Sequence, residues 1–224
     1  MKTGCRSRCH RVFFFNLSYL LYLPGKGFAG QWRMSPDISL LRLAYLRNVP
    51  RVGWLIRGVP ASVAEDVASH SHLVSLIALG LVLKVRECGL SVDGEKALAM
   101  AIIHDVPEAV SGDLPRPVKE RLGGMARMVE EDALLQLGLG GLLPLYRELE
   151  DSASVESILV RVADDMATYL RGVYYLSQGY RDVADIVENT RLSAVRLAGS
   201  LPAGYRECVV KYINGLLENI PRGG

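Results

Sequence analysis

From Pro36 onward, apolar residues recur at intervals of three and four, and strict alternation is scarce. That period belongs to helices rather than strands, so the chain reads as helical almost throughout. Leu40, Leu41, Leu43, Ala44 and Leu46 mark a first short helix, which Val49-Pro50 ends. Gly53, Gly58 and Pro60 make 51–60 an ordered loop. Ser62-Val63-Ala64-Glu65 has capping-box spacing ahead of a long apolar helix reaching Cys88. Asp93 caps the next helix, which carries His104-Asp105 near its C-terminal end, and Pro107 starts a fresh turn. The segment 112–117 is a tight connection before a helix over 118–137. After a break at 138–144, helices follow at 154–178, 182–198 and 202–217. The expected fold is all-α, a single bundle of about seven helices.

The first 33 residues do not fit this pattern. Residues 1–11 are basic, 12–23 are apolar, and Pro24-Gly25-Lys26-Gly27 ends the run. This is the layout of a targeting segment, yet Asn16 and Ser18 interrupt its apolar stretch. The preferred reading is translation from Met34, with 1–33 an extension and 34–224 one domain. A membrane-targeting segment and a folded extension are the alternatives. In the body, the charge-free run Leu73 to Leu83 is too short to span a bilayer and reads as a core helix.

At 224 residues and 50% hydrophobic, the chain can bury one sizeable core. A net charge of +2 without charged blocks gives no electrostatic case for nucleic acid or an anionic membrane. Cys5, Cys9, Cys88 and Cys208 lack Cys-x-x-Cys spacing. This argues against a zinc ribbon or a disulfide framework and fits a reducing cytoplasm.

The chemistry concentrates at His104-Asp105, which ends the apolar run Ala97 to Ile103. An imidazole beside a carboxylate offers a divalent metal two ligands of different hardness. Glu108 lies one helical turn on and can face the same pocket. The other histidines of the body, His70 and His72, point about 200° apart on an ideal helix, so only one easily faces a common site. Taken singly, each histidine reads as a hydrogen-bonded core residue. Asp164-Asp165 interrupts an apolar helix. One of the two can face solvent; a buried carboxylate is costly unless it is paired or binds metal. A salt bridge to Arg161 is the plainer alternative.

The set His70, His104-Asp105 and Asp164 resembles the H…HD…D signature of the HD-domain phosphohydrolases. The segments 51–60, 65–71, 104–119 and 163–170 further resemble the 5′-deoxynucleotidase subfamily, in the same order over about residues 40–175. Gly112-Asp113-Leu114-Pro115-Arg116-Pro117-Val118-Lys119 is the most specific string. One departure is Ser69, where members carry an acid just before the first histidine; a partner for that histidine is then missing. His72 has no counterpart and reads as structural.

The resemblance implies an HD-domain bundle with His70, His104, Asp105 and Asp164 as metal ligands, Asp165 being the fallback for Asp164. Such a mixed nitrogen and oxygen set suits Mn²⁺, Co²⁺, Fe²⁺ or Zn²⁺ better than Ca²⁺. Glu108 is the expected catalytic residue, orienting or deprotonating water and protonating the leaving alkoxide. Arg51 is expected on the phosphate, Asp113 on the sugar 3′-hydroxyl, and Trp54 either against the 2′ position or as a core anchor. Tyr169 reads as packing. The implied reaction is metal-dependent hydrolysis of (deoxy)nucleoside 5′-monophosphates to nucleoside and phosphate. The alternatives are another HD phosphohydrolase, acting on nucleoside triphosphates or signalling nucleotides, and a non-catalytic HD binding domain. A cytoplasmic homodimer without stable membrane association is expected, joined through Ile186, Leu192, Val195 and Leu197.

Overall fold

The computed structural model describes residues 39–219 and is helical with no strands among them. The expected extension 1–33 lies outside the described residues. Helix α1 (Leu40–Ala44) runs into a 3₁₀ turn (Tyr45–Asn48), as the apolar spacing predicts. An isolated bridge then joins Pro50 to Asp66. It is flanked by Arg51 N–H to Glu65 O at 2.9 Å and Val67 N–H to Val49 O at 2.9 Å. The expected loop at 51–60 contains a one-turn helix, α2 (Val52–Leu55). Its first N–H is satisfied by a distant carboxylate, that of Asp113, which local sequence does not reveal.

Helix α3 (Val67–Glu87) starts later than the proposed capping box. Its cap is Asp66, whose carboxylate accepts from Ser69 N–H at 2.7 Å. Glu65 is thereby released for another role. Helix α4 (Gly94–Ile103) is capped by Asp93 as expected and gives out at His104. Pro107 leads into the short α5 (Glu108–Ser111).

The helix expected over 118–137 is two helices, α6 (Arg116–Leu122) and α7 (Gly124–Gln136). The break is Gly123, at φ 52 and ψ −127, backbone angles that a side-chain-bearing residue adopts only under strain. The expected break at 138–144 ends in a further helix, α8 (Leu143–Glu150), with Pro144 in its first turn, where a proline does no harm. Helix α9 (Val155–Ser177) begins at a reciprocal capping box between Ser154 and Ser157. Helices α10 (Ala184–Ser200) and α11 (Ala203–Asn219) close the chain.

Helix α9 is the axis of the bundle, packed by α10, α3, α4 and α8. Val74, Ala78, Leu81 and Val85 of α3 meet Met100 and Ala101 of α4 and Leu159, Val162 and Met166 of α9 in one core. A second cluster gathers Trp54, Val59, Tyr175 and Val183. By length and composition α3 passes as a membrane span; here it packs against α9, α4 and α11. Its outer row, Leu76, Leu79 and Leu83, stays exposed.

Two expectations need correction. Cys88 and Cys208 are joined as a disulfide between the end of α3 and α11, because tertiary packing pairs cysteines 120 residues apart that no local spacing links. The compartment argument drawn from unpaired cysteines falls with it. The apolar face proposed for dimerisation is also mostly occupied. Ile186 packs on the second cluster, and Val195 and Leu197 pack on the main core. Leu192 alone of the four is largely exposed, at 52%.

Candidate active site

Three helices deliver polar side chains to one point. His70 comes from the first turns of α3, His104 and Asp105 from the end of α4, and Asp164 from the middle of α9. His70 Nε2 lies 2.9 Å from Asp164 Oδ1 and 3.8 Å from Asp105 Oδ2. His104 Nε2 lies 3.1 Å from Asp105 Oδ2. One donor atom each from His70, His104 and Asp164 falls within 4.8 Å of the others, close enough to share one ion.

The surroundings of His104 favour a positive charge at this point. Its Nδ1 lies 2.8 Å from Ala101 O. A carbonyl only accepts, so Nδ1 carries the hydrogen and Nε2 presents its lone pair. That Nε2 is buried without a hydrogen-bond partner and faces a carboxylate. Two acceptors in contact require a cation or a proton between them. Burial opposes a charged ring, but Asp105 and then Asp164 outweigh it and push His104 up to about 9. Against the same burial penalty, His104 and Arg51 hold Asp105 well below the usual carboxylate range, and His70 does so for Asp164. Two imidazole nitrogens and two carboxylates around a buried, proton-hungry point fit a divalent cation, which would displace that proton.

His70 is supported from behind. Its Nδ1 lies 3.6 Å from Glu65 Oε2, both side chains being fully buried. Glu65 Oε1 accepts from Arg171 Nε at 3.2 Å. Arg171 in turn lies over the rings of Tyr174 and Tyr175. The acid that Ser69 seemed to have displaced is therefore supplied by Glu65. Ser69 itself is exposed and bonds to Asp66. His72 is exposed too, neither ligand nor core.

Of the acidic pair, the buried member is paired rather than turned to the site. The deeper carboxylate is Asp165, 1% exposed and bound by Arg116 Nη2 at 2.8 Å. Asp164, with a side chain 28% exposed, is the one that meets His70. Arg161 serves neither and donates to Glu150 O.

Arg51 Nη1 sits 2.6 Å from Asp105 Oδ2 and 3.9 Å from Asp113 Oδ1. Asp113 Oδ2 is already committed to Val52 N–H at 2.6 Å, so one oxygen of this carboxylate anchors α2. Trp54 is 2% exposed and lies edge-on to Tyr175 at 5.1 Å between ring centres. Gly172 makes room for it: a Cβ there would meet Trp54 at 3.4 Å and Val187 at 2.5 Å. The ring is thus a core anchor that also forms part of a cavity wall. Glu108 is 2% exposed, with Oε1 3.4 Å from Lys119 Nζ and Oε2 unpartnered. Burial, then the neighbouring Asp105, push its carboxyl up to about 9. A cavity of about 870 Å³, within the range of small-molecule sites, is lined by Arg51, His104, Asp105, Glu108, Asp113 and Asp164.

The model of the YfbR-like 5′-deoxynucleotidase family matches residues 42–198. The chain belongs to this family. As a YfbR-like member it is a phosphohydrolase. A 5′-deoxynucleotidase of Photorhabdus laumondii is 32% identical over 125 residues, covering 51% of this chain and 64% of that protein. YfbR of Shigella boydii is 29% identical over 165 residues, covering 69% of this chain and 78% of its own. A conserved hypothetical protein of Pyrococcus furiosus has a similar structure, with TM-score 0.68 and 31% identity over 79% of this chain and 97% of its own. An HD-domain phosphohydrolase of Listeria innocua shares the fold, at TM-score 0.61 and 19% identity over 80% and 84% of the two chains.

Within this YfbR-like chain, sequence reasoning missed Glu65, Arg171 and Lys119. Glu65 was hidden because it fits a capping box. The pair Asp66 and Ser69, at the same spacing and directly at the start of the apolar helix, was the signal that it had other work.

Proposed function

We propose that this chain removes phosphate from deoxynucleoside 5′-monophosphates at a divalent metal held by His70, His104, Asp105 and Asp164. The convergence of His70, His104 and Asp164, with Asp105 against both histidines and a buried lone pair on His104 that no described protein group satisfies, carries the reading. The donor set favours Mn²⁺, Co²⁺, Fe²⁺ or Zn²⁺. When bound, such an ion supplies Lewis acidity toward a phosphate oxygen and water.

The protein groups divide the remaining work. Arg51 pairs with the phosphate dianion, exchanging part of its contact with Asp105 for the substrate. Glu108, whose carboxyl burial pushes up to about 9, holds a proton at rest; it gives that proton to the departing 5′-oxygen and regains one from the attacking water. The oxygen of Asp113 not used by Val52 is available to the 3′-hydroxyl. Trp54 closes the wall on the 2′ side. The products are a deoxynucleoside and inorganic phosphate. A homodimer is part of this reading, and the exposed row Leu76, Leu79 and Leu83 offers an apolar face for it.

The test is phosphate release from a panel of deoxynucleoside and ribonucleoside mono- and triphosphates, with metal content measured alongside. Orthophosphate from monophosphates is expected, with activity and bound metal lost together in His104→Ala. Tripolyphosphate release would point to a triphosphohydrolase instead. Full activity and stoichiometric metal in His104→Ala would place the centre elsewhere.

A further inference from the structure

Behind Glu108 runs a polar chain that the reaction leaves unexplained, buried except at Lys119, whose side chain is 33% exposed. Lys119 Nζ lies 3.4 Å from Glu108 Oε1 and 2.8 Å from Glu130 Oε1. Glu130 Oε2 accepts from the Tyr146 hydroxyl at 2.9 Å. Glu130 and Tyr146 are 4% and 1% exposed. The chain thus crosses four helices, α5, α6, α7 and α8, and ends on the one carboxyl assigned to proton transfer.

Glu108 opens a helix of four residues, and its own turn offers little to fix a side chain with three rotatable bonds. A lysine with nothing to fix its ammonium would hold it loosely. This lysine is itself pinned by a buried glutamate, which is pinned by a buried tyrosine. The result is asymmetric: Oε1 of Glu108 is tethered, and Oε2 is buried with no hydrogen-bond partner among the described residues. Both Glu108 and Lys119 border the cavity.

We propose that Lys119, anchored by Glu130 and Tyr146, is a positioning residue that fixes one oxygen of Glu108 and leaves the other for the reaction. This rests on the reading of Glu108 as the proton-transferring group. The competing explanation is that Lys119 only neutralises two buried acids.

Four variants separate these. Lys119→Met should lower kcat on the order of 10²-fold, the cost of a misplaced catalytic group. KM and metal content should stay near wild type. Lys119→Arg should recover most of kcat. Because Lys119→Met strands two buried carboxyls and costs stability, Lys119→Met/Glu130→Gln removes one of them. That variant should melt closer to wild type while kcat stays low. In a Glu108→Gln background, Lys119→Met should cause no further loss of kcat, since the group it positions is gone. Recovery of kcat together with stability in Lys119→Met/Glu130→Gln would overturn the proposal. So would losses that multiply in the Glu108→Gln background. Full activity in Glu108→Gln alone would instead overturn the role of Glu108, and the positioning role with it.

Discussion

Replacing Glu65 by alanine should weaken metal binding without touching a ligand. If His70 binds through Nε2, its Nδ1 carries a hydrogen, and Glu65 Oε2 is the acceptor facing it. Loss of such a supporting carboxylate costs roughly 10- to 100-fold in metal affinity. The 3.6 Å separation is longer than the ~2.9 Å of an ideal N–H to oxygen bond, which places the expectation in the lower half, at about 10- to 30-fold. The protein should also lose some stability, because removing the buried Glu65 side chain leaves a gap beside His70 Nδ1, which forms no hydrogen bond at 3.6 Å, and Arg171 loses its carboxylate partner. For a chain of this size the fall in Tm is roughly 2–4 °C per kcal/mol. Arg171 adds little to the loss, since its side chain is 32% exposed and water can replace Glu65. Glu65→Gln should fall between wild type and alanine, because an amide oxygen can still accept from one partner but not from both. Calorimetric titration of metal-free protein with Mn²⁺ or Co²⁺, beside thermal unfolding, reads both effects. His72→Ala, at an exposed position on the same helix, is the control and should change neither. Wild-type metal affinity in Glu65→Ala would refute the supporting role.

Asp164→Asn should lose bound metal, whereas Asp165→Asn should keep it stoichiometric and show its effect in thermal unfolding, because Asp165 is tied to Arg116; the reverse pattern would exchange their roles. With wild-type protein, dAMP should be cleaved on the order of 10²-fold faster than AMP, the selectivity that steric exclusion of one hydroxyl supports. Trp54→Phe, chosen because truncating this buried ring to alanine would cost about 3–5 kcal/mol, should narrow that ratio, and an unchanged ratio would return Trp54 to a purely core role. Hydrogen bonds from Arg147, against a burial penalty, and then from Arg127 hold Glu131 below its ordinary 4.5. Its stabilisation is therefore complete above that value and lost as pH falls through the lower folded one, so Glu131→Gln should flatten the drop in Tm on acidification below about pH 5. A chain starting at Met34 should hydrolyse the same substrates as the full chain, and an insoluble or inactive product would show that the preceding segment is needed.

The long helices were legible through their apolar periodicity, helped at two of them by a capping residue. Asp93 and Ser154 mark the starts of α4 and α9 without help from distant residues. The misreadings share one cause, a local pattern settled by a remote partner. Helix α2 exists because Asp113 reaches Val52. Asp165 tolerates burial because Arg116 arrives from 49 positions away. The disulfide joins positions 120 apart. Gly123 was different: two adjacent glycines, Gly123-Gly124, were visible and were given too little weight against a continuing apolar period. At the site, the histidines and acids were legible through their resemblance to a known signature. Their supports, Glu65, Arg171 and Lys119, were not, because nothing in residue spacing says which charged side chain stands behind which.

The positions proposed as ligands are far apart along the chain, His70 and Asp164 being separated by 94 residues. No fragment short of the docked α3, α4 and α9 brings them together, so an unfolded or half-assembled chain has no comparable affinity for the ion. Binding energy at the centre is then borrowed by the whole bundle. At a free metal concentration 100 times the dissociation constant, the native state gains about 2.7 kcal/mol over the unfolded one. A chelator should therefore act on this chain as a denaturant acts, loosening helices whose surfaces never meet the ion.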